Sequence, residues 1–202
     1  MRIARGTVLL VATTNAGKLR EIESMLAGVP LALRTLADDA PAPEETGETF
    51  EENARLKARY YASATGLLTV AEDSGLEIDA LDGAPGVRSA RYPGNSYEER
   101  FRNLFAELSA RGATDPSRRT ARFVSTLALV DRDDVLFEAR GTVEGLIAPA
   151  PKGTNGFGYD PIFWYPPYGC TLAEVSDADK DRVSHRGASF RELRAFLERH
   201  IE

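Results

Sequence analysis

Residues 7–12, Thr-Val-Leu-Leu-Val-Ala, form a nearly unbroken apolar run that gives way to the polar stretch Thr13-Thr14-Asn15-Ala16-Gly17-Lys18. A short apolar run without alternation predicts a strand covered on both faces. Directly after it, Leu19, Ile22, Met25 and Leu26 recur at helical spacing, and Gly28 marks the stop. Residues 31–36 predict a second strand, followed by an acidic, proline-broken surface loop over 38–48. Thr49 and Glu52 have the spacing of a capping box that opens a helix through Tyr61, on which Asn53 and Lys57 share one face. The run Leu67-Leu68-Thr69-Val70-Ala71 predicts a buried central strand that stops at Gly75, and the alternating residues 76–81 predict a separate, half-buried strand. A second capping box, Ser96 with Glu99, precedes the amphipathic stripe Tyr97, Phe101, Leu104, Phe105 and Leu108. Residues 121–130 and 136–147 predict two long strands joined around 131–134. Phe190, Leu193, Phe196 and Leu197 mark the buried side of the last helix, with Ser184 as its expected cap and Lys180, Arg182, His185 and Arg186 gathered at its start.

This order of strands and helices describes an α/β protein. With 202 residues, 43% hydrophobic and 28% charged, the chain is expected to be one globular domain over residues 1–202 rather than a disordered polymer. The net charge of −6 argues against nonspecific binding to nucleic acid or an anionic membrane, and points to a small-molecule partner. Cys170 is the only cysteine, so no intramolecular disulfide and no zinc-cysteine cluster can form. A cytoplasmic protein is expected, since nothing approaches a signal core or a membrane span.

Four stretches carry chemistry. Glu72-Asp73-Ser74-Gly75 ends an apolar run in two carboxylates and a hydroxyl, a set suited to a hard cation such as Mg²⁺ and equally consistent with an ordinary acidic turn. On a strand, Glu72 and Asp73 would point to opposite faces. The loop 13–18 joins strand to helix, where first-turn N–H groups and the positive dipole end hold phosphate. Lys18 would add a mobile cation, whereas Thr13 or Thr14 serves equally well as a helix cap. It is not a Walker A loop, because Ala12 and Leu19 stand where that pattern needs glycine and a hydroxyl. Gly156-Phe157-Gly158-Tyr159-Asp160 pairs close-approach glycines with rings that stack on a base, although a purely structural glycine loop has the same pattern. Ser184-His185-Arg186 reads either as a capped helix start with solvated basic neighbours or as a binding group.

Taken together, in this order, these motifs resemble the inosine triphosphate pyrophosphatase family. The likeness also rests on Glu44-Glu45-Thr46-Gly47 with Phe50 and Glu52-Asn53-Ala54, and on Gly83-Ala84-Pro85-Gly86 with Ser89-Ala90-Arg91-Tyr92. It covers nearly the whole chain. The resemblance implies an elongated mixed β-sheet with flanking helices, two lobes around a central cleft, and a homodimer. It implies a Mg²⁺-dependent hydrolase releasing pyrophosphate from a purine nucleoside triphosphate, ITP, dITP or XTP. Glu44 and Asp73 are implied as metal ligands, and Asp73 also as the proton acceptor. Thr13, Thr14, Asn15, Ala16, Gly17 and Lys18 are implied as triphosphate binders, with Thr14 standing where many relatives have glycine. Ser74, Phe157, Gly158, Tyr159, Asp160, Lys180, His185 and Arg186 complete the implied substrate-binding set, with His185 a further candidate for proton transfer. The 6-oxygen of hypoxanthine or xanthine asks for a donor, for which Arg186 or a backbone N–H near Phe157 is the candidate. An ATP amino group would leave that buried donor unpaired and be rejected roughly 10⁴-fold. Two other readings are a pyrophosphatase for modified pyrimidine triphosphates and a nucleotide sensor that has lost catalysis.

Overall fold

The structure, a computed structural model, describes residues 2–37 and 39–202. Met1, and Asp38 at the head of the expected acidic loop, lie outside the described residues. Seven strands hydrogen-bond in the order β2-β1-β3-β4-β5-β6-β7. Strand β1 is Val8–Val11, flanked by β2 (Ala32–Thr35) and β3 (Leu68–Ile78), both parallel to it. Strands β4 (Thr120–Asp131) and β5 (Asp134–Ile147) are neighbours, and β6 (Phe163–Tyr165) lies antiparallel to β5 and to β7 (Cys170–Thr171). The sheet is therefore mixed, as expected. Among the described residues no helix is long and apolar enough to cross a membrane.

Helix α1 is Ala16–Leu26, and its cap is Asn15 rather than either threonine: the Asn15 side chain accepts the Lys18 N–H at 3.0 Å. Thr13 lies one step back, where its hydroxyl accepts the Asn15 N–H. Helix α2, Phe50–Thr65, opens on the full Thr49–Glu52 capping box and runs beyond Tyr61 until Gly66, whose φ of 68° takes the left-handed conformation that closes a helix. Helix α3, Tyr97–Ala110, begins at Ser96, whose hydroxyl accepts the Glu99 N–H, while the Glu99 carboxylate accepts from Asn95 instead of from the cap. Helix α4, Asp177–Val183, takes in Lys180 and Arg182, expected at the entry of the last helix, so Ser184 closes α4 and stands immediately before α5, His185–His200.

The expected break at Gly75 is absent, and β3 runs unbroken for 11 residues. Glycine lowers strand propensity without forbidding pairing, and the Leu76 N–H just beyond it is satisfied by the Ser89 hydroxyl at 2.9 Å.

The chain divides into two compact units. The first comprises Met1–Asp73, Ser125–Gly141 and His185–Glu202. Its strands alternate between two apolar layers, as period-two side chains must. Leu9, Val11, Leu68 and Val70 pack with Ile22 and Leu26 of α1 and Phe190, Leu193 and Leu197 of α5. Leu10, Ala12 and Ala71 pack instead with Ala54, Ala58, Tyr61 and Ala62 of α2. The alternation continues into Glu72 on the α5 side and Asp73 on the α2 side. The second unit comprises Ser74–Val124 and Thr142–Ser184. Its core gathers Leu76, Ile78, the α3 stripe Phe101, Leu104 and Leu108, and Phe123 stacked on Phe163 at 4.4 Å between ring centroids.

Candidate active site

Glu72 is buried and fully compensated. The Arg186 guanidinium donates to both of its carboxylate oxygens at 2.9 Å, and the Ser125 hydroxyl adds a third bond at 2.9 Å. Arg186, 1% exposed, also donates to Glu21 of α1. Burial penalises the Glu72 charge, but Arg186 and then Lys18 outweigh it and hold the carboxyl well below the usual range. Ser125 in turn shares a hydrogen bond with Ser189, whose hydroxyl donates to the Arg186 carbonyl. The bidentate fork is the geometry that makes a buried ion pair tolerable.

Asp73, one residue on, meets a different set. Its Oδ1 lies 2.7 Å from the Lys57 ammonium, and the same nitrogen lies 2.8 Å from the Glu45 carboxylate. Asn53 donates to the other Asp73 oxygen at 3.4 Å while its own carbonyl accepts the Gly47 N–H at 2.8 Å. Asn53 thus ties the 44–47 loop to β3. Gly47 is required there, because an added Cβ would sit 2.6 Å from the Asn53 Oδ1. Burial pushes the Asp73 carboxyl up, against the pull of Lys57. Burial opposes the Lys57 charge as well, yet Asp73 and Glu45 together hold that ammonium above its ordinary range.

Lys18, in the first turn of α1, stands 4.0 Å from Glu72, and burial pushes its ammonium down despite the attraction of that carboxylate. Thr14, Asn15 and Ala16 before it are exposed, and Thr13 and Gly17 are half-buried. A solvent-facing loop thus leads into the N-terminus of an 11-residue helix, the geometry that receives phosphate. Around Glu72 and Asp73, the cations Lys18, Lys57 and Arg186 face Glu21, Glu45, Glu72 and Asp73.

The second unit holds a separate group. Lys180 of α4 donates to Asp160 at 2.5 Å, both side chains being about 3% exposed, and its ammonium stands 4.7 Å from the centroid of the Phe157 ring. The Phe157 N–H donates to the same Asp160 oxygen at 2.8 Å. Gly156 needs its φ of 69° and its missing Cβ, which would meet that oxygen at 2.3 Å. The Tyr159 hydroxyl donates to the Ser89 carbonyl at 2.9 Å, and its ring meets Tyr97 edge-on. Gly158 also takes a positive φ, and Ser74 is half-buried.

The model of the Ham1 family matches residues 9–196. The chain belongs to the Ham1 family. It is 46% identical over 191 residues to a protein of Exiguobacterium sibiricum named dITP/XTP pyrophosphatase, covering 94% of this chain and 96% of that one. A Thermus thermophilus protein of the same name is 48% identical over 195 residues, covering 96% and 92%. Among solved structures, a HAM1 protein from Coxiella burnetii superposes with a TM-score of 0.87 at 38% identity, covering 96% of this chain and 99% of the other.

Several expected residues meet partners that the sequence did not name. Glu44 is exposed, and the carboxylate that pairs with Lys57 beside Asp73 is that of its neighbour Glu45. Arg186, expected to read a base oxygen, spends three N–H groups on Glu72 and Glu21. The Phe157 N–H, the other candidate donor, is committed to Asp160. Lys180 belongs to the second unit, and His185 and Arg186 to the first. His185 is buried and adds to the field that keeps Glu72 ionised. Glu21, Glu45, Asn53 and Lys57 join the site: of these the sequence offered only Asn53 and Lys57, as a polar pair that could face either a ligand or solvent. The signal for Asn53 and Lys57 was their shared helix face; for Glu21 it was only its place one turn after Lys18.

Among the described residues no group of three or more His, Cys, Asp and Glu side chains forms a metal centre. Asp73 and Glu45 nevertheless fit a hard divalent cation, since they already converge on one cationic nitrogen and Mg²⁺ commonly takes one or two carboxylates plus water and phosphate.

Proposed function

We infer that this protein hydrolyses non-standard purine nucleoside triphosphates, ITP, dITP and XTP, to the nucleoside monophosphate and pyrophosphate. The observation that carries the inference is the division between two adjacent carboxylates of β3: Glu72 neutralised by Arg186, and Asp73 shared with Lys57 and Glu45 in the unit whose helix N-terminus bears Lys18. The dITP/XTP pyrophosphatase name of relatives matching nearly the whole chain supports the substrate class.

Asp73 and Glu45 would hold Mg²⁺, which when bound neutralises phosphoryl charge and lowers the pKa of a coordinated water. Lys18 and the first-turn N–H groups of α1 bind the phosphates. Its pKa lowered by burial, Lys18 gains most from an anionic partner. Asp73 orients the attacking water and accepts its proton, held in place by the Asn53 amide. Arg186 acts at one remove, fixing Glu72 and through it the field at Lys18. Phe157, Gly158, Tyr159, Asp160 and Lys180 bind the base, the Phe157 ring offering an aromatic face. A cytoplasmic homodimer acting on the nucleotide pool completes the reading.

The test is pyrophosphate release from ITP, XTP, GTP, ATP and dTTP, with Mg²⁺ and with chelator. Mg²⁺-dependent release from ITP and XTP well above GTP, ATP and dTTP is expected. Equal turnover of dTTP would overturn the purine reading, and no pyrophosphate from any of them would overturn catalysis.

A further inference from the structure

We propose that Lys57 is a built-in counter-ion which a divalent cation must displace from Asp73 and Glu45, so that metal and nucleoside triphosphate bind cooperatively. This rests on the metal reading above and adds to it a competition inside the protein.

The geometry is specific. One ammonium nitrogen makes direct ion pairs with Asp73 at 2.7 Å and with Glu45 at 2.8 Å, and only 14% of the Lys57 side chain is exposed. These are the two carboxylates that fit the cation. Mg²⁺ would take the same oxygens at about 2.0–2.1 Å, which sets a second positive charge against the ammonium in a poorly solvated place. Both cannot stay. The lysine can leave, since its charge rides on a flexible four-carbon stem, whereas Asp73 is fixed on a central strand and keeps its bond from Asn53. The ammonium gives up two direct ion pairs when it goes, so its departure is costly until another anion receives it. A triphosphate is such an anion.

The consequence is quantitative. If Lys57 leaves both carboxylates in only about 1–10% of molecules, the apparent affinity for a cation alone falls roughly ten- to a hundred-fold. Bound triphosphate removes that handicap, and by linkage the cation tightens triphosphate binding equally.

Mn²⁺ titration of the full-length protein without nucleotide, read by electron paramagnetic resonance, tests this in the wild type, Lys57→Met and Asp73→Asn. Lys57→Met is expected to bind Mn²⁺ about ten- to a hundred-fold tighter than the wild type, and Asp73→Asn to lose binding. Wild-type or weaker affinity in Lys57→Met, with Asp73→Asn still defective, would overturn the competition and leave the metal site standing. Mn²⁺ binding indifferent to Asp73→Asn would overturn the metal reading and this inference with it. A second readout needs no variant at position 57: the ¹⁵Nζ resonance of Lys57 should move when the wild type is saturated with Mg²⁺, and an unmoved resonance rejects displacement.

Discussion

Burial penalises the charges of Glu72 and Asp73 alike, but Arg186 gives Glu72 two short bonds while Asp73 shares one ammonium with Glu45. Glu72 is therefore the structural carboxylate and Asp73 the one available to a ligand. Replacing Asp73 with Asn should lower kcat by on the order of 10³-fold or more while circular dichroism and the melting temperature stay close to wild type. Glu72→Gln should do the reverse in emphasis, leaving Arg186 short of charge in the interior and costing about 3–5 kcal/mol in urea unfolding. The pH dependence follows from sign. Because the folded carboxyl is held below its ordinary value, its stabilisation is fully present above the unfolded value near 4.3 and is lost as pH falls from there through the folded one. The stability gap between wild type and Glu72→Gln, measured in chelator, should thus be widest near neutrality and shrink below about pH 4.

At the scale of elements, strand β5 and helix α5 approach so closely that a Cβ on Gly141 would lie 2.1 Å from the His185 carbonyl oxygen and 2.7 Å from the Ser189 nitrogen. Both neighbours are backbone and cannot turn aside. Gly141→Ala should cost about 1–3 kcal/mol, and it should also lower activity, since the first turn of α5 carries Arg186; a variant with wild-type urea midpoint would sink the packing argument. Helix α2 presents Asn53 and Lys57, and its start is fixed by Thr49 and Glu52. Thr49→Ala should remove about 1 kcal/mol, visible as a lower melting temperature. Most elements were legible because each shows its period locally, and the capping boxes named two helix starts. Strand β3 was misread as two because Glu72, Asp73 and Gly75 look like a turn in isolation. Only Arg186, Lys57 and Asn53, from other elements, make those charges acceptable inside a strand.

For the whole molecule, the homodimer implied by the family likeness should appear in sedimentation velocity as a species of twice the chain mass, and a monomer across the micromolar range would refute it. The ordered motifs identified the family before any coordinates, because each motif preserves a local backbone requirement: a phosphate loop, a capping box, a glycine beside an aspartate. By itself the sequence determined the α/β class, the strand-loop-helix at Lys18, the placement of Asp73 on a strand, and the presence of an acidic loop near residue 45. Tertiary structure alone decided which charges meet. Arg186 reaches Glu72 across 114 positions and Glu21 across 165, and no local pattern encodes a partner at that separation. The pairing of Glu45 with Lys57, and the bonds of Arg186 and the Phe157 N–H to carboxylates, arise the same way. Backbone periodicity is a property of neighbours in sequence, whereas compensation of a buried charge is a property of neighbours in space.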